Sequence, residues 1–264
     1  MNRPIFESLE AKFLAWAQMR RKTVVKLGEA RELLRLSPQQ EKKILSRLAR
    51  SGVIVRLTNG LYLVPERLPL GGKWSPPKGL VLSELMRSYG GEYQLTGLEV
   101  FNRYRFTTQV ANVTTAYNDK ISGRKKIGNL MYEFIEVPKS RLGGIERIST
   151  PMGDVINYPT LGRTLMDAVY DWSRFNTLPK AYEWIAREKK NERVIKDLVD
   201  SAITAGNVAT RRRVGYWLET LKVNPKFVNK LLRKVKATTA VIPLNPKKPL
   251  RGTLNRRWGV IVNG

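Results

Sequence analysis

Apolar positions along the chain follow two periods, and the switch between them outlines the elements. In "IFESLEAKFLAWAQM" (residues 5–19), Ile5, Phe6, Leu9, Phe13, Leu14 and Trp16 fall at helical spacing and predict a first helix. "KTVVKL" predicts a short strand and "GEARELLRL" a short second helix. In "SPQQEKKILSRLARSG" (37–52), Ser37 is placed to cap a third helix, Pro38 stands at its first turn and Gly52 closes it. Ile44, Leu45 and Leu48 form the inner stripe of that helix; polar and basic residues fill most of the rest. "VIVRLTNGLYLVP" (53–65) then gives two apolar runs around Asn59-Gly60, the pattern of a β-hairpin with positive φ at both turn residues.

"PERLPLGGKWSPPKG" has four prolines and three glycines and marks a domain boundary. Beyond it "LVLSELMRSYG" and "LTGLEVFNRY" predict helices, "TTQVANVTTAY" a strand, "DKISGRKKIGN" a polar connection and "LMYEFIEVP" the returning strand. "ERISTPMGDVINYPT" predicts another short pair. From Leu161 the pattern turns helical: "LGRTLMDAVYDW", "LPKAYEWIAREKK", "ERVIKDLVDSAITAG", "VATRRRVGYWLETL" and "PKFVNKLLRKVK" are five candidate helices. "TTAVIPL" and "RWGVIVNG" close the chain as strand-like segments around a basic loop. The expected class is α+β: an N-terminal winged helix-turn-helix domain (1–65), a Pro/Gly-rich linker (66–78) and a larger mixed α/β domain (79–264) with a helix-rich C-terminal part.

Charge changes the picture. The 264 residues carry 48 Lys+Arg against 22 Asp+Glu, a formal +26, and such self-repulsion points to an anionic partner, most commonly nucleic acid. Half of the excess lies in residues 206–264, where fourteen Lys+Arg face one acid, Glu219. His and Cys are absent, which excludes disulfides, thiolate zinc sites, Cys nucleophiles and His-based catalysis. No run reaches the length of a membrane span and the first residues lack a signal-peptide pattern, so a cytoplasmic protein without membrane contact is expected.

The order helix, helix, helix, hairpin places the third helix in a DNA major groove and the hairpin against the backbone or minor groove. The candidate DNA contacts are Gln39, Gln40, Lys42, Lys43, Ser46, Arg47 and Arg50 on the helix and Arg56, Thr58 and Asn59 on the wing. Gln can read adenine and Arg guanine, while Lys and Ser can hold phosphate. The plain alternative is a solvated helix face. Arg211, Arg212 and Arg213 are candidates for facing a second anionic partner such as RNA; equally they could be solvated arginines. For an enzyme, the candidate acids are Asp154, Asp167, Asp171, Glu183 and Glu188. Asp167 and Asp171 share a helix face but sit among apolar residues, and Asp167 is placed to pair with Arg163. Phosphate-cradling and nucleophile motifs are missing, so no catalytic residue, metal or cofactor is expected. Tyr170, Trp172, Tyr182, Trp184, Tyr216 and Trp217 could stack bases, but their apolar neighbours favour a core role.

"NGLYLVP", the Pro/Gly junction, "NYPTLGRTLMDAVYDW", "RRRVGYWLE" and the terminal "RWGVIVN", in that order and spacing, resemble the AbiEi family of antitoxins of type IV toxin–antitoxin (abortive infection) systems. The resemblance implies an autorepressor that binds its own operator as double-stranded DNA through the winged domain. It also implies a C-terminal domain that counteracts a cognate nucleotidyltransferase-like toxin, either by covering the toxin, with Arg211, Arg212 and Arg213 meeting its acidic residues, or indirectly, by competing for its RNA substrate. The alternative from the residues is a ligand-sensing winged-helix repressor or an RNA-binding protein without a toxin partner.

Overall fold

The computed structural model describes residues 8–69, 71–235 and 240–263. Ile5 and Phe6 of the predicted first helix, and Thr238 and Thr239 of "TTAVIPL", lie outside the described residues. The protein is a mixed α+β fold that divides into two compact units. One comprises the chain up to Gly91 with Ser122–Glu133 and Ser149–Ile156; the other comprises Glu92–Ile121, Phe134–Ile148 and the chain from Asn157.

The first unit starts with α1 (Leu9–Met19), capped by Ser8, whose hydroxyl accepts the Ala11 N–H at 3.1 Å. β1 (Val24–Lys26), α2 (Pro38–Arg50), β2 (Val55–Thr58) and β3 (Leu61–Leu63) follow. β3 lies between β1 and β2, antiparallel to both, with Val25 opposite Tyr62 and Val55 opposite Leu63. Phe13, Trp16 and Ala17 from α1 pack with Ile44, Leu45 and Leu48 from α2, with Val25 and Tyr62 from the sheet, and with Ile54 and Val64 beside its strands. Strand side chains alternate between faces, so Val55, Leu61 and Leu63, also buried, point to the opposite side. That side is covered by α3 (Lys78–Tyr89) and by the turn at Gly128, which lies against Val55.

Three expectations change here. "GEARELLRL" is a run of turns rather than a helix: Gly28 takes φ +99° at its start, Arg35 takes φ +50° at its end, and only Leu34 makes an α-type bond, to Ala30 O at 3.1 Å. In the hairpin only Gly60 has positive φ. A register shift between Arg56 and Thr58 adds the right-handed twist that a primed turn would otherwise supply. The "polar connection" contains a strand, β6 (Gly123–Ile127).

β4 (Tyr93–Thr96), β5 (Val113–Asn118), β6 and β7 (Leu130–Glu136) form a four-stranded sheet in the order β4-β5-β7-β6. β6 is therefore an edge strand, and Arg124, Lys125 and Lys126 give it the charge that keeps edges from pairing further. α4 (Leu98–Arg103) packs on β4 and β5. β8 (Ile145–Ser149) and β9 (Val155–Pro159) pair as predicted.

The loop between β8 and β9 supplies what α3 lacks. Pro77 precedes α3 without a side-chain cap. Asp154 Oδ2 accepts the Gly79 N–H at 2.6 Å, and its other oxygen bonds the Thr150 hydroxyl. A carboxylate at a helix start also suits the dipole.

Six helices make up the rest: α5 (Leu161–Tyr170), α6 (Trp172–Phe175), α7 (Lys180–Arg187), α8 (Glu192–Thr204), α9 (Val208–Thr220) and α10 (Pro225–Leu232). The predicted "LGRTLMDAVYDW" is split at Asp171 into α5 and α6. β10 (Ile242–Pro243) pairs parallel with β12 (Val260–Val262), and β11 (Thr253–Asn255) pairs antiparallel on the other side. Leu165, Met166, Ile185, Leu198, Val214 and Trp258 centre this core. Gly215 exists for Trp258: a Cβ there would meet the indole at 2.1 Å. Trp258 Nε1 donates to Glu219 Oε2 at 2.6 Å. Tyr182 and Trp184 are buried in this core, with Tyr170, Trp172, Tyr216 and Trp217 half-buried against it, so all six aromatics contribute to the core.

Candidate nucleic-acid interface

α2 is held at both ends and along its inner face. The Ser37 hydroxyl accepts the Gln40 N–H at 3.2 Å while Gln40 Oε1 accepts the Ser37 N–H at 2.7 Å, a capping box. At the other end Gly52, at φ +79°, donates to Ala49 O and Val53 donates to Leu48 O at 3.0 Å, a Schellman closure. Between them Glu41 is wholly buried. Both its oxygens accept the Gly28 N–H at 2.9 Å, and Oε2 accepts Arg31 Nε and Nη2 at 3.3 and 3.2 Å. Glu41 thus ties the turn segment before α2 to the helix and fixes its angle. Its burial was readable in principle, since Glu41 stands three and four residues before Ile44 and Leu45.

The outer face presents one stripe. Gln39, Lys42, Lys43, Ser46 and Arg50 are exposed at offsets of three, four, seven and eleven, all on one side of a helix. Among the described residues none of these side chains has an intramolecular partner. The other two helix candidates differ. Gln40 is engaged in the capping box, and Arg47 Nη1 pairs with Glu10 at 3.1 Å; both sit on the flank of the stripe. At the hairpin Arg56 folds over the tip, donating to Thr58 O at 3.3 Å and to Asn59 Oδ1. Arg56 and Asn59 are exposed, Thr58 is half-buried. Arg56 and Asn59 therefore form one polar unit, and Thr58 takes part through its backbone.

The arginine triplet of α9 is neither a free anion site nor a solvated face. Arg211 Nε and Nη2 donate to Ala202 O and Ile203 O, both at 2.9 Å, closing the end of α8. Arg212, 3% exposed, donates to Ala240 O at 2.7 Å, and Arg213, 6% exposed, to Pro243 O at 3.0 Å. Burial lowers the pKa of Arg213. All three guanidiniums hold backbone carbonyls, Arg211 at the end of α8 and Arg212 and Arg213 in the C-terminal segment, a use that their run in sequence does not announce.

The candidate acids are dispersed among structural roles. Asp167 accepts Arg163 Nε at 2.9 Å, as the i,i+4 spacing predicts, and Arg141 Nη1 at 2.7 Å, all three being buried. Arg163 continues to Gly143 O and Arg141 O, and the Arg141 guanidinium lies 3.6 Å from the Tyr170 ring centre. Asp171 accepts the Tyr117 hydroxyl at 2.5 Å; burial, then Asp167 and Asp171, push the Tyr117 pKa far up. Asp154 caps α3, Glu183 is exposed, and Glu188 accepts from Asn191 at 3.5 Å. Among the described residues no three acids gather as a metal site, and no helix is long and apolar enough to cross a membrane.

The fold is similar to that of the RV2827C protein from Mycobacterium tuberculosis, with a TM-score of 0.58 over 96% of this chain and 91% of that one. At 11% identity the likeness is one of fold. No protein-family model matches the sequence, and no curated protein matches it.

Proposed function

We propose that the chain is a DNA-binding autorepressor and antitoxin of a type IV toxin–antitoxin operon, with α1 to β3 acting as a winged helix-turn-helix. The observation that carries the DNA half is the α2 stripe. Five polar or basic side chains share one face of a helix whose ends and inner face are fully anchored, and no intramolecular group within the described residues engages them. A rigid helix with an unengaged Gln/Lys/Arg face beside a polar hairpin tip suits major-groove reading with backbone contact from the wing. Gln39 and Arg50 are the base-reading candidates, Lys42, Lys43 and Ser46 the phosphate contacts, and the Arg56–Asn59 tip the wing contact. The antitoxin half rests on the family resemblance of the sequence and assigns neutralisation of a nucleotidyltransferase-like toxin to the chain beyond residue 79.

A gel-shift titration of the full chain with its own promoter tests the DNA half. The expected result is a shifted duplex whose affinity falls steeply with salt and collapses when Gln39, Lys42, Lys43 and Arg50 are all alanine. No shift at low salt overturns it. A second reading, a ligand-responsive repressor, is favoured by a cleft of about 830 Å³ in the first unit, lined by Lys22, Lys26, Glu29, Glu84, Arg87 and the hairpin tip. A ligand there would touch the tip itself, and a metabolite-dependent change in promoter affinity would select this reading.

A further inference from the structure

The arginine triplet leaves the basic excess of the helical region without a place to act. The place is a groove between α8 and α10. It has a volume of about 870 Å³ and is lined by Arg193, Lys196, Lys226, Lys230, Arg233 and Lys234, with Glu192 as the acid and Phe227 beneath. The two helices run parallel here: Glu192 pairs with Lys226 at 2.8 Å, and further along Asp200 pairs with Lys196 at 3.0 Å and with Lys230. Both acids within reach are therefore shared among three lysines. Among the described residues, Arg193, Arg233 and Lys234 have no acidic partner.

Ordinary helix electrostatics explains only part of this. Arg233 and Lys234 follow the last turn of α10, where cations suit the dipole. Arg193 is the second residue of α8, where a cation opposes it. A concave surface also focuses the potential of like charges, so the arrangement is costly without an anion in the groove. Lys226 and Lys230 stand one helical turn apart, about 6 Å along the axis, comparable to the separation of successive phosphates on one strand. Phe227 is buried, so the groove offers no exposed ring on which a base can stack. At about 870 Å³ the groove admits a thin, flexible strand and is too small to take in a duplex.

We infer that the α8–α10 groove binds the phosphate backbone of a single-stranded nucleic acid without reading its bases. The inference does not depend on the proposed DNA-reading role of α2. The test uses the full chain carrying Lys42→Ala, Lys43→Ala and Arg50→Ala, so that α2 does not contribute. Fluorescence anisotropy with an oligo-uridine 12-mer is compared between this background and the same chain with Arg193→Ala, Arg233→Ala and Lys234→Ala added. Having no acidic partners, these three can be removed without orphaning a buried charge, and thermal melting checks that the fold is retained. A loss of about tenfold or more at 100 mM salt is expected, with the salt slope shrinking by about two. A charge-matched control, Lys248→Ala, Arg251→Ala and Arg256→Ala, is expected to bind like its parent. Equal loss in the control, or unchanged binding by the groove variant, overturns the site. Displacement of the oligonucleotide as effectively by polyglutamate of matched charge overturns nucleic acid in favour of an acidic protein. Equal binding of a duplex of matched phosphate content overturns the single-strand assignment. Loss of promoter binding by the groove variant on an otherwise wild-type chain would show that the two sites are one and overturn their separation.

Discussion

Gln39 and Gln40 are neighbours with different work. Gln40 closes the capping box from the flank of α2, so Gln40→Ala should cost about 0.5–1.5 kcal/mol of stability and leave the pattern of preferred bases unchanged. Gln39 stands on the outer stripe, so Gln39→Ala should leave melting nearly unchanged, cost about 1–3 kcal/mol of operator affinity and relax preference at one position. A thermal melt beside a binding-site selection separates the two. Reversed outcomes would mean that the stripe has been assigned to the wrong side of α2. Glu41 behaves differently again. Truncation to alanine leaves the half-buried Gly28 N–H unpaired and frees Arg31, so a loss of about 1–3 kcal/mol in denaturant unfolding is expected. The seven helix candidates looked equivalent in sequence, because a stripe tells which residues face outward and not which are already hydrogen-bonded. The same blindness applied to Arg211, Arg212 and Arg213. Three consecutive cations read as surface, and nothing local announces the carbonyls that receive them.

Elements with their own punctuation were legible: α2 with Ser37, Pro38 and Gly52, the hairpin around Gly60, and the helices α7 to α10 with their Asn and Pro starts. Elements defined by partners were not. β6 is a row of charges whose strand state comes from pairing at a sheet edge, and the turns at 27–35 are held by Glu41 rather than by their own periodicity. α3 and α9 show how far such dependence reaches. A Cβ at Gly79 would stand 2.4 Å from Asp154 Oδ2 and 2.6 Å from Val155 O. Gly79→Ala must therefore displace the cap, at about 1–3 kcal/mol, measured by chemical unfolding; an unchanged midpoint would show the loop to be soft. Gly215→Ala should cost at least as much, since Trp258 is 1% exposed and has no free space to enter. Acid enters at the β4–β5 end. Asp119 Oδ1 accepts the Glu92 N–H at 2.8 Å, and this bond lowers its pKa. A depressed folded-state pKa gives stability that is present above the unfolded value and lost as pH falls through the folded one. Asp119→Asn should flatten the acid limb of the stability curve and leave the neutral plateau in place.

At the scale of the molecule, the hairpin sheet is buried on both faces. One face is covered by α1 and α2 and the other by α3 and the Gly128 turn. A fragment ending at residue 65 would uncover Val55, Leu61 and Leu63 and should bind apolar dye and aggregate more than the full chain. Clean monomeric behaviour of that fragment would show that the second covering is dispensable. For the proposed neutralisation, co-expression with the proposed nucleotidyltransferase-like toxin is the measure. The chain carrying the α2 alanines should still rescue growth, and loss of rescue would merge the two proposed roles into one surface.

The cap of α3 also has a schedule. Asp154 lies 75 residues beyond Gly79, and at a synthesis rate of about 5–20 residues per second that separation lasts about 4 to 15 s. The core joining α1, α2 and the hairpin is complete by Val64. On the ribosome the proposed reading helix is therefore set early, while α3 waits uncapped and one side of the hairpin sheet waits with it. Proteolysis of chains stalled before and after residue 154 should cut near α3 only in the first, so the interval of vulnerability is written into the order of the residues.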